Sequence, residues 1–122
     1  MTQAVDVQMR HDPALLLEEA CERARRWDFD MPSDAAYSRA NGLLVELDLL
    51  SPQLDDLEAC LAEDGTIEIT VVTPAEVITV DVSLSGNRLE MVAEDRASGA
   101  MLASLPHATE ADVVHRVARV QK

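Results

Sequence analysis

Aromatic side chains are nearly missing from this chain: its 122 residues include one Trp, one Tyr and one Phe, 2% of the total. Hydrophobic residues still make up 48%, so a core is expected, and it has to be built from Leu, Val, Ile, Ala and Met. Glycine is scarce as well. Four residues are too few for a phosphate cradle, and neither GxGxxG nor GxxxxGK occurs. The two cysteines, Cys21 and Cys60, form no CxxC pair, and each stands among apolar neighbours, which predicts two buried free thiols. GxSxG and HExxH are absent, and His11, His107 and His115 are scattered, which predicts surface histidines rather than metal ligands. No long apolar run is present, in the opening MTQAVDVQMRHDP or later, so neither a signal peptide nor a membrane span is expected. The composition therefore predicts a cytoplasmic, non-enzymatic protein that uses no cofactor and no membrane.

Positive charge is missing over a long stretch. From Ala40 to Asn87 there is no Lys or Arg, while Glu46, Asp48, Asp55, Asp56, Glu58, Glu63, Asp64, Glu68, Glu76 and Asp81 supply ten carboxylates, and the whole chain carries a formal charge of −13. Phosphate contacts need clustered Lys and Arg, so direct nucleic-acid binding is not expected. A basic protein partner fits this distribution, and solubility alone is the blander explanation.

What is present reads as one domain, since 122 residues suffice to bury about two thirds of the unfolded chain's surface. Residues 1–11 show no period and are expected to form a flexible arm; residues 12–122 form the domain. Asp12 and Pro13 start a helix whose Leu16, Leu17, Ala20, Cys21, Ala24 and Trp27 share a face, with Glu19–Arg23 and Glu22–Arg26 spaced as favourable pairs. The next stretch, WDFDMPSDAAY, places Asp28, Asp30 and Asp34 at offsets of a calcium loop. Such a loop needs Gly at its sixth place and Glu at its twelfth, where this chain has Ser33 and Arg39. A corner fits better, with Ser33 capping a second helix from Asp34 to about Leu49 and Trp27, Phe29 and Tyr37 clustering beside it, either locking the helices to a sheet or exposed as a partner's hot spot. Ala36, Ala40, Leu43, Leu44, Leu47 and Leu50 form its buried stripe, Gly42 suggests a close backbone approach, and Ser51 and Pro52 mark its exit.

From there the period changes to two. Residues 54–62 suit a short helix or a strand, with the strand preferred because Leu57, Ala59 and Leu61 alternate into an Asp64–Gly65 turn. Ile67, Ile69 and Val71, then Ile78, Val80, Val82 and Leu84, then Leu89, Met91 and Ala93 mark one apolar face. A last strand is expected near residues 100–103, with Pro106 ending the sheet. Thr109 and Asp112 form a capping box for a final helix whose stripe is Val113, Val114, Val117 and Val120. The expected fold is α+β: an N-terminal helical pair, an antiparallel meander of three to five strands and a C-terminal helix, with the helices on one face of the sheet.

The order of these marks, Trp27-Asp28, Pro32-Ser33, the Asp64-Gly65 hairpin and the helix from Thr109 to Val120, resembles a loosely defined group of small uncharacterised bacterial α+β proteins. That group usually has Gly after Trp-Asp where this chain has Phe29. It has no settled activity, so the resemblance implies a fold and no function.

The opposite face of such a sheet would display Glu68, Asp81 and Glu90. Together with Asp55, Asp56 and the aromatic Trp27, Phe29 and Tyr37, these are the candidate partner-binding residues. The expected role is an acidic protein-binding module, an antitoxin, immunity or anti-defence type inhibitor of a basic-surfaced partner. A nucleic-acid mimic that blocks a DNA- or RNA-binding protein is the sharper variant. The alternatives are a divalent-metal-dependent protein using Asp28, Asp30 and Asp34, and a structural homodimer joined through an exposed sheet edge or the aromatic corner.

Overall fold

A computed structural model of the chain describes residues 13–50 and 54–119. The expected arm, His11, the Asp12 cap, the Ser51–Pro52 exit, Val120 and Lys122 lie outside the described residues.

Helix α1 (Pro13–Arg26) buries Leu17, Ala20, Cys21 and Ala24, the spacing of one helical face. Trp27 leaves that face and is 66% exposed. The reason is local: the amides of Trp27 and Phe29 both bond to the Ala24 carbonyl, and Asp28 between them takes a left-handed φ of 59°, so the chain turns away before Trp27 can pack. Arg23 reaches the Ala59 carbonyl at 3.3 Å instead of pairing with Glu19.

Helix α2 (Asp34–Asp48) starts as its sequence predicts, with Ser33 Oγ accepting from the Ala36 amide at 3.1 Å and Asp34 in the first turn, where the helix dipole favours a negative charge. Ala36, Ala40, Leu43, Leu44 and Leu47 are buried. The close approach expected at Gly42 is not there: the residue faces solvent, and a β-carbon added to it would meet nothing within 4 Å.

Five antiparallel strands follow in the order β1-β2-β3-β4-β5: β1 (Asp56–Leu61), β2 (Ile67–Val72), β3 (Glu76–Val82), β4 (Leu89–Asp95) and β5 (Met101–Ala108). The 54–62 segment is a strand, and its Leu57, Ala59 and Leu61 join Ile67, Ile69, Val71, Ile78, Val80, Val82, Leu89, Met91 and Ala93 on the buried face. Each fully buried aliphatic side chain contributes about 1.5–3 kcal/mol relative to exposure, so this layer, not the three aromatics, carries the fold.

Three expectations about the sheet need correction. Cys60 is exposed, because it alternates with Leu57, Ala59 and Leu61 and so points to the other face. Leu84 is 47% exposed, because β3 ends at Val82 and Leu84 sits in the turn, against Gly65. Pro106 lies inside β5 and does not end the sheet. A proline survives there because β5 is an edge strand and the β4–β5 register shifts between Leu89 and Met91, so no ladder bond is demanded of it on both sides.

Helix α3 (Glu110–Arg119) has the expected reciprocal cap: the Asp112 amide donates to Thr109 Oγ1 at 3.1 Å and the Thr109 amide to Asp112 Oδ2 at 2.9 Å. Val113 and Val117 are buried and Val114 is half-buried. Arg116 holds the buried Glu76 by two hydrogen bonds of 2.9 and 2.8 Å, and Arg39 of α2 holds Glu110 by two of 2.6 and 3.0 Å. The helices and the sheet make an α+β fold with the helical layer on one face. Among the described residues no helix is long and apolar enough to cross a membrane.

Candidate functional site

Strand register decides which side chains share the uncovered face. Glu68 pairs with Asp81 and Asp81 with Glu90, while Cys60 pairs with Glu68, so these four form one row across β1 to β4. Adjacent strands lie about 4.8 Å apart, so three carboxylates are strung over roughly 10 Å. A second row runs Glu58, Thr70, Thr79, Val92 and Ser104, and a third runs Asp56, Val72, Val77 and Glu94. The helices pack against the other face, through the buried residues given above.

Like charges opposed on neighbouring strands raise each other's proton affinity. Burial pushes the Asp81 carboxyl above its usual range, and the charges of Glu68 and Glu90 on either side push it further. Glu58 is raised by its hydrogen bond to Asp56, by that residue's charge and by burial, with Arg23 opposing. The Cys60 thiol, exposed but partly shielded by its neighbours, is raised by that partial burial and by Glu68, to whose carboxylate it donates at 3.6 Å.

Two shallow clefts flank Asp81. One, of about 310 Å³, is lined by Thr66, Asp81, Ser83, Leu84, Arg88 and Glu90; the other, of about 390 Å³, by Cys60, Asp64, Thr66, Glu68 and Asp81 among others. Arg88 pairs with Glu90 at 2.5 Å and so neutralises one end of the row, leaving Glu68 and Asp81 as its charged centre.

The remaining candidates lie elsewhere. Asp55 precedes β1 and is held by Arg96, which also donates to the Thr73 carbonyl at 3.1 Å. Asp56 sits in the third row, at the opposite end of the face, where its carboxylate accepts from the Leu57 amide. Trp27 and Phe29 pair with ring centroids 5.6 Å apart and tilted by 58°. Tyr37 sits apart from them, around a small cleft with Cys21, Arg25, Met31, Pro32 and Asp34. Phe29 and Tyr37 pack against the core, whereas Trp27 does not, so the cluster expected of three rings is a pair plus one. Asp28, Asp30 and Asp34 line the same corner. Asp30 is fixed by its amide bonding to the Glu63 carbonyl, and among the described residues no group of three His, Cys, Asp or Glu is placed to hold a metal.

Sequence reasoning missed Glu58 and Arg88. Glu58 was findable, since any strand that turns Leu57 and Ala59 inward turns Glu58 outward. No family model, no curated protein and no solved structure matches the chain.

Proposed function

We propose that this protein is a non-enzymatic binding module whose acidic sheet face docks onto a basic surface of a protein partner, in the manner of an antitoxin, immunity or anti-defence inhibitor. One observation supports the reading above the others: Glu68 and Asp81 stand side by side on an uncovered face, and Arg88, which shares a cleft with Asp81, is already committed to Glu90. A Lys or Arg arriving from outside would relieve the repulsion between them, so the face gains more from a basic partner than isolated surface carboxylates do.

The test uses a fluorescent decalysine peptide as probe. Glu68→Gln combined with Asp81→Asn is expected to weaken its binding about tenfold, or 1.4 kcal/mol, and to flatten the loss of affinity with added salt. Glu18→Gln combined with Glu19→Gln, which removes the same charge from exposed positions on α1, is expected to weaken it far less. Equal weakening by both pairs would show that the peptide reads net charge alone and would overturn the proposal.

A further inference from the structure

The sheet has two edges, and they are finished differently. At β1 the edge is acidic, with Asp56 and Glu58 on the strand, and its Ala59 carbonyl already accepts from Arg23. Such charges and side-chain caps keep an edge from pairing with another chain. At β5 the strand reads MLASLPHA and holds no carboxylate, Lys or Arg. Met101, Leu102 and Leu105 are 64%, 48% and 39% exposed, three of the eight exposed large apolar side chains among the described residues. Beneath it a cleft of about 370 Å³ has a floor of Met91, Ala103 and Leu105 and a rim that includes Asp112 and Arg119.

We infer that two copies of this chain associate through β5, the strands pairing antiparallel about a two-fold axis at Ala103 to give one ten-stranded sheet. Charge selects the occupant. In a molecule of formal charge −13, two copies that met through the acidic face or the β1 edge would oppose carboxylate to carboxylate, whereas β5 meets β5 with no charged side chain on either strand. The pattern is also self-complementary. A two-fold at Ala103 sets Met101 of each copy opposite Leu105 of the other, and Pro106, which has no amide to donate, falls just past the paired stretch and limits the register. Asp112 lies near the start of α3 and Arg119, which makes no ion pair among the described residues, lies at its end. Antiparallel α3 helices would place each Asp112 beside the other copy's Arg119. This pairing is independent of the acidic face and leaves it open on both protomers.

Sedimentation equilibrium of the full chain at about 0.1 mM, where even weak specific association registers, is expected to give a dimer whose affinity rises with salt. That salt response is opposite in sign to that of the decalysine complex, so the two proposals fail separately. Leu105→Glu and, independently, Met101→Glu are expected to yield folded monomers by circular dichroism and mass. Antiparallel partners have Cα atoms about 4.5–5.5 Å apart, within disulfide reach. Ala103→Cys in a Cys21→Ser, Cys60→Ser background should therefore cross-link with oxidised glutathione, whereas Thr79→Cys in that background should not. A monomer at high salt, or a dimer that Cys at position 103 fails to cross-link, would overturn the inference.

Discussion

Gly42 and Gly86 are the same residue in opposite surroundings, and alanine at each is expected to move stability in opposite directions. Gly42 lies in the exposed middle of α2 with open space where a β-carbon would go, so Gly42→Ala should stabilise the protein by about 0.5–1 kcal/mol, read as a higher Tm. Gly86 has φ of 81°, and a β-carbon there would lie 2.7 Å from the Ala36 amide nitrogen, so Gly86→Ala should cost more than about 1 kcal/mol. Asp81 gives a pH-dependent case. Its proton is held more tightly in the folded state, so the stability that protonation contributes is present below the ordinary value of about 3.9 and is lost as pH rises through the higher folded value. Asp81→Asn removes that loss. At neutral pH it should melt above the parent by on the order of 0.5 kcal/mol, the scale of one opposed like-charge pair, and the gap should close below about pH 3.9. Glu110, held down by Arg39, works the other way and destabilises the parent on acidification, so the comparison has to be made as a difference between the two proteins. A gap that stays constant with pH would disprove the account of Asp81.

At the scale of elements, the strands were legible wherever apolar and polar residues alternate strictly, as in β2, β3 and β4. Strand β5 was legible only in part, because Met101-Leu102 and Leu105-Pro106 interrupt that alternation and its side chains stay largely exposed. Cys60 was misread because its immediate neighbours, Ala59 and Leu61, are apolar, although they belong to the other face of the same strand. Glu76 was hidden in a different way. It follows a Thr73-Pro74 turn and reads as one more solvated acid, yet it opens β3 and is 6% exposed, and no local pattern says that Arg116, forty residues later, will cover it. Breaking a buried pair leaves a charge without its counterpart. Arg116→Met is accordingly expected to cost about 3–5 kcal/mol, and Arg116→Met with Glu76→Gln to recover much of it, as chemical denaturation of the set would show. Full additivity of the two single changes would mean that the pair does not act as one.

For the whole molecule, the legible part was the separation of an aliphatic side from an acidic side; the candidate row followed from it, because Glu68, Asp81 and Glu90 each sit one residue from an inward Ile, Val or Leu. Its neutralised end was legible by the same rule, since Arg88 stands two residues before Glu90 and an extended strand turns such neighbours to one face. A chain with formal charge −13 repels itself, and salt shortens the reach of that repulsion. The Tm is expected to climb between about 10 and 200 mM NaCl, over a range in which the Debye length falls from roughly 30 Å to below 10 Å. A flat response would mean that the carboxylates are compensated pair by pair. The β3–β4 turn that carries Arg88 towards the row is also seated on the opposite layer. Gly86 abuts the first residues of α2, Ser33 Oγ donates to the Leu84 carbonyl at 2.8 Å and Arg39 to the Gly86 carbonyl at 3.0 Å. Front and back of this protein therefore cannot be redesigned as separate parts: anyone who lengthens that loop to reach a ligand must also rebuild the start of a helix behind it.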